Sequence, residues 1–170
     1  IPEETARRAK FIYINYPNNP TGAVATKAFY EKLVAWAKTY EVGVVSDLAY
    51  GALGYQGYEN PSFLSTPGAK DVGIEFYTFS KTFNMAGWRL AFAAGNDQMI
   101  EALNLIQDHL FVGIFPALQE AGIAALLDPK SEEVVAQLNA TYDSRRDAFV
   151  QAAAKIGWQA FPSRGSFYAW

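Results

Sequence analysis

Apolar and polar positions follow two rhythms along most of the chain. The run "KFIYIN" (10–15) is β-branched and aromatic and leads into the turn-rich "NYPNNPTG", which predicts a buried strand ending in a loop. Phe29, Leu33, Trp36, Ala37 and Tyr40 then recur at spacings of three and four, with Glu31, Lys32 and Lys38 between them. This pattern predicts an amphipathic helix starting near Thr26. The short apolar run "VGVVSD" (42–47) reads as a second strand, and strand, helix, strand alternation implies a parallel pair with a crossover. Beyond a Gly/Tyr/Pro-rich stretch (49–68), "GIEFYTF" (73–79) and "RLAFAAG" (89–95) predict two more strands around the loop "SKTFNMAGW". A helical pattern covers 98–127, bent near Pro116. A longer one covers 131–156, with Ser131 as cap, Glu132 and Glu133 in the first turn, and Gly157 as stop. "WQAF" and "SFYAW" read as strands of a second domain. Trp36, Trp88 and Trp158 are expected in the core, as are Phe76, Phe79 and Phe92, which alternate as buried strand residues should.

Composition narrows the class of molecule. The 170 residues are 51% hydrophobic and 18% charged with a net charge of −3, which excludes a disordered or collagen-like chain. Mild acidity gives no electrostatic reason to expect nucleic acid, and no apolar run approaches the roughly 18 to 20 residues that span a bilayer. Without cysteine there is no disulfide framework or thiolate metal site, and the single histidine, His109, removes most histidine-rich zinc chemistry. A lone histidine reads as structural, and Arg145 and Arg146, flanked by Asp143 and Asp147, read as a solvated charged face. The chain opens at Ile1 and stops inside an aromatic run, so we expect a piece of a longer protein.

Chemistry-bearing side chains gather at the ends of the expected strands, where ligands bind in open α/β sheets. They are Asn19 in "NNPTG", Asp47 and Tyr50 in "DLAY", Lys81 in "TFSKTF", and Arg89 in "GWR". Taken singly, each has an ordinary explanation as a turn, a helix cap or a solvated charge. Their order and surroundings, "YPNNPTG" (16–22), "VVSDLAYG" (44–51), "YTFSKTFNMAGWRLAF" (77–92) and "RGSFYAW" (164–170), resemble the fold-type I, class I/II aminotransferases over nearly the whole chain.

That resemblance implies an α/β fold with a three-layer α/β/α large domain around a mostly parallel sheet. The start of a smaller α+β domain would follow, with 1–130 in the first and a connector helix opening 131–170. It also implies pyridoxal 5′-phosphate as cofactor. Lys81 would form the imine with its aldehyde and then act as base, a role that requires a neutral amine. Asp47 would keep the pyridine nitrogen protonated, and Asn19 and Tyr50 would hydrogen-bond the ring's phenolic oxygen, with a cis bond before Pro20 aiming Asn19 inward. Arg89, Thr78 and Ser80 would grip the phosphate. Eight residues separate Lys81 from Arg89, enough to extend about 26 Å, so the loop must double back, and Asn84 and Gly87 permit such a reversal.

The same resemblance implies a homodimer that acts on an amino acid and a 2-oxo acid, while the lack of cysteine favours a cytoplasmic location and composition leads us to expect no metal, nucleic acid or membrane partner. From Leu90 to Pro129 there is no Lys or Arg, which leans towards a substrate with an uncharged side chain. The local sequence is similar to aminotransferases for methionine-type, aromatic or diaminopimelate-type substrates. Two other readings stay open: a non-catalytic effector-binding domain of the same fold in a regulator, and a pyridoxal-dependent lyase.

Overall fold

The computed structural model describes residues 1–170. Four strands, β1 (Phe11–Asn15), β2 (Gly43–Asp47), β3 (Gly73–Thr78) and β4 (Ala91–Gly95), form one sheet in that order, parallel except for the antiparallel β3–β4 pair. Seven helices accompany them: α1 (Glu3–Arg8), α2 (Lys27–Tyr40), α3 (Ala69–Val72), α4 (Phe79–Thr82), α5 (Asp97–Leu110), α6 (Pro116–Leu127) and α7 (Ser131–Lys155).

Helix α2 begins where the Thr26 side chain accepts from the Phe29 N–H. Its buried stripe is Tyr30, Leu33, Val34 and Ala37, rotated from the expected one so that Phe29 lies outside it. This stripe packs on Ile14 and Val44 from one face of the sheet, with Phe63 and Ala69 completing the core. On the opposite face Tyr13, Val45, Ile74 and Phe76 border a groove of about 790 Å³ whose far wall is Met99, Ala102, Leu103 and Ile106 of α5. Helices therefore flank both faces, as a three-layer α/β/α arrangement requires. No helix is long and apolar enough to cross a membrane.

Several expectations need correction. "WQAF" and "SFYAW" form no strands. The terminal segment makes only an isolated antiparallel bridge, Gly54 to Gly165, because a strand needs a continuous partner. Trp88 and Trp158 are 46% and 56% exposed, and Phe92 is 44% exposed on the last strand of the sheet. Ser131 does not cap α7: it is the first helical residue, and its hydroxyl donates back to the Ala125 carbonyl. Gly157 does end that helix, in the left-handed region at φ +80°. Arg146 is no solvated surface charge. Its side chain is 10% exposed, pairs with Asp143 and Asp147 at 2.6 Å each, lies over the Tyr55 ring, and donates to the Ser163 carbonyl. His109 is exposed in the last turn of α5.

Candidate active site

Parallel pairing sets Asn15, Asp47 and Phe76 in one row at the carboxyl ends of β1, β2 and β3. Chain reversals just beyond this row carry the remaining candidates. After β1 the peptide bonds before Pro17 and Pro20 are both cis. The Asn15 side chain ties the row together: its Oδ1 accepts from the Asn19 N–H at 2.9 Å, and its Nδ2 donates to the Asp47 carbonyl at 3.1 Å. Asp47 Oδ1 accepts from the Ala49 N–H at 3.0 Å, which orients the carboxylate at the exposed end of the strand.

Tyr50 is buried three residues further on. Burial above all pushes its hydroxyl well above the ordinary phenol range, while a hydrogen bond with the Asn19 side chain pulls the other way. Tyr50 is therefore a neutral phenol throughout the physiological range. Lys81, in the short α4, points its Nζ at two aromatic rings, 5.9 Å from the Tyr50 centroid and 5.6 Å from that of Phe167. It is in none of the ion pairs of the structure. Asn19, Asp47, Tyr50 and Lys81 thus converge at one end of the sheet.

The loop after Lys81 does double back. Asn84 takes a positive φ of 54°, but Gly87 does not; the second left-handed residue is Arg89 itself, also at 54°. This return brings Leu90 beside the start of α4, where its carbonyl accepts from the Phe79 N–H and the Thr78 hydroxyl. Thr78 Oγ1 also accepts from the Ser80 N–H and stands 3.0 Å from Ser80 Oγ. Thr78, Ser80 and Arg89 are therefore close along the backbone. In this structure the exposed Arg89 guanidinium donates to the Ala86 carbonyl at 3.0 Å.

Sequence reasoning missed three residues of this region. Asn15 reads as the last residue of a strand, and Phe167 and Tyr168 read as part of a strand. Their positions over Lys81 and Tyr50 depend on contacts about 90 to 120 residues away in sequence, which no local pattern carries.

A lysine, a carboxylate, a phenol and an amide thus gather at the carboxyl edge of an α/β sheet, the place where ligands bind in open sheets of this class. The sequence pattern of aminotransferase class I and II matches residues 1–170, and the chain belongs to that family. It is 54% identical over its whole length to the L-glutamine--4-(methylsulfanyl)-2-oxobutanoate aminotransferase of Bacillus subtilis (strain 168), covering 42% of that protein. It is 48% identical to the LL-diaminopimelate aminotransferase of Moorella thermoacetica, covering 43% of it. Among solved structures, apo-BacF from Bacillus subtilis superposes on the entire chain with a TM-score of 0.95 at 47% identity, and 43% of that chain is covered. The chain spans less than half the length of these relatives.

Proposed function

We propose that the protein containing this chain is a pyridoxal phosphate-dependent transaminase, moving an amino group between an amino acid and a 2-oxo acid. The observation that carries this reading is the Lys81 amine, free of any ion pair and held over the ring of Tyr50, whose own hydroxyl has the Asn19 and Asp47 side chains as neighbours, and over the ring of Phe167. The donor set suits the cofactor: a carboxylate for a pyridinium, an amide and a phenol for a phenolate, an amine for an aldehyde, and hydroxyls with a guanidinium for a phosphate.

When bound, pyridoxal phosphate supplies an aldehyde that condenses with amines and a ring that accepts electrons from the substrate Cα. Lys81 Nζ is the amine that would hold the cofactor's aldehyde carbon, and the same amine would carry the substrate Cα proton. Asp47 holds a proton at the ring nitrogen, and each unit by which it raises that nitrogen's pKa is worth about 1.4 kcal/mol. Tyr50 and Asn19 donate to the ring oxygen, and Thr78, Ser80 and Arg89 hold the phosphate. Residues 1–130 belong to the cofactor-binding domain, with 131–170 as connector and start of a smaller domain. The substrate is of methionine, aromatic or diaminopimelate type: the cation-free stretch 90–129 favours the uncharged methionine and aromatic side chains, and the relatives' names cover all three types. The enzyme works as a homodimer, as its family resemblance implies, and in the cytoplasm, the compartment its lack of cysteine favours.

The test uses the full-length protein. Adding pyridoxal phosphate should produce a visible band, and borohydride should fix the cofactor onto the peptide bearing Lys81. Lys81→Ala should lose the band and lower turnover by about 10⁴-fold or more in a screen of amino-acid and oxo-acid pairs. A wild-type protein that takes up no cofactor would refute the reading.

A further inference from the structure

Tyr50 has a hydroxyl neighbour that the motif residues do not explain. Tyr168 OH lies 3.1 Å from Tyr50 OH, with the two rings edge to face and their centroids 5.7 Å apart. A phenol has one hydrogen to give and can accept two bonds. If Tyr50 gave its hydrogen to Tyr168, none would remain for an acceptor in the site. If Tyr168 donates instead, the Tyr50 hydrogen is directed into the site, and its own bond is strengthened because hydrogen bonds in a chain polarise one another.

The segment that presents Tyr168 is held in place. Tyr55 N–H donates to the Arg164 carbonyl at 3.1 Å, Ser166 N–H to the Leu53 carbonyl at 3.3 Å, and Arg146 Nη1 to the Ser163 carbonyl at 3.1 Å. A Cβ at Gly165 would fall 2.7 Å from the Pro17 side chain and 3.1 Å from the Leu53 carbonyl, so only glycine lets the segment lie this close. Tyr168 is thus carried on a strap bonded to the same 50–55 segment that carries Tyr50.

We infer that Tyr168 is a positioning residue, donating to Tyr50 so that the Tyr50 hydrogen points at the cofactor's ring oxygen. The inference rests on the pyridoxal phosphate reading above. The charged and ionisable groups facing Tyr50 are Tyr168, Asp47 and Lys81. Stronger donation to the ring oxygen draws electron density from Lys81 Nζ when it is joined to the cofactor, and so lowers its proton affinity.

The experiment compares the full-length wild type with Tyr168→Phe, which keeps the ring and removes only the hydroxyl. The readout is the pH at which the cofactor's visible band titrates. The midpoint should rise by about 0.3 pH unit or more, the size expected for losing cooperative support of one donor. In a Tyr50→Phe background the same substitution should leave the midpoint where it is, because its effect passes through the Tyr50 hydroxyl. An unmoved or lowered midpoint in Tyr168→Phe would overturn the inference, as would an equal rise in both backgrounds. A wild type with no titrating band would instead remove the cofactor reading and this inference with it.

Discussion

The side-chain amide of Asn15 uses both of its ends, accepting from the Asn19 N–H and donating to the Asp47 carbonyl. It joins two neighbouring elements that carry different proposed cofactor contacts, so its loss should disturb both at once. Asn15→Ala is expected to lower kcat by about 10- to 100-fold, the range that follows from misplacing reacting groups by a fraction of an ångström to an ångström. It should also weaken cofactor retention, measured by equilibrium dialysis, while far-UV circular dichroism stays unchanged. Retention equal to wild type would show that the bridge is incidental. At this scale the sequence was most legible where chemistry lies within a few residues, as in "TFSKTF" and "DLAY", whose polar side chains stand out from their apolar flanks. Asn15 sits beside "YPNNPTG" and looks like one more turn residue; its role exists only once parallel register brings Asp47 alongside.

Among the elements, those with their own periodicity were readable. Strands β1, β2 and β3 and helices α2, α5, α6 and α7 lie close to their expected spans, with Pro116 opening α6 after the break. Misreadings fell where an element depends on distant partners: α4 hides inside an apparent loop, and the last residues look like strands but have no continuous neighbour. Strand β3 shows the same dependence in its energetics. Glu75 is buried, yet its carboxylate accepts from Ser46 Oγ at 3.0 Å, Ser62 Oγ at 2.5 Å and the Phe63 N–H at 2.8 Å. It therefore pins the Ser62–Phe63 turn to β2 and β3. Glu75→Leu leaves these donors without their acceptor and should cost about 3 kcal/mol, whereas Glu75→Gln, which retains one acceptor oxygen, should cost about 1 kcal/mol. Urea unfolding midpoints check this ordering. A leucine variant as stable as wild type would mean that the carboxylate network contributes no net stability.

For the molecule as a whole, the surface area is the informative quantity. A compact monomer of 18.7 kDa should expose about 8,300 Å² by the usual scaling with mass, whereas this chain exposes 10945 Å². The excess of about 2,600 Å² is the size of a substantial protein interface. It is not spread evenly. Phe11 and Tyr13 are exposed on β1, Phe92 on β4, and Leu105, Leu110 and Phe111 in and just after α5. Both outer strands also present unpaired backbone, an open template for further pairing. Apolar surface of this extent is normally covered by more chain or by another subunit. The relatives are more than twice as long as this chain, and further segments of that kind could supply the cover. Residues 1–170 expressed alone should therefore bind a hydrophobic dye strongly, elute from a sizing column as oligomers or aggregate, and have no transaminase activity. The full-length protein should bind the dye weakly and elute as a single species. If the isolated chain were monomeric, dye-silent and able to turn over substrate, the excess surface would be an intrinsic feature of a self-sufficient domain, and the case for covering segments would fail.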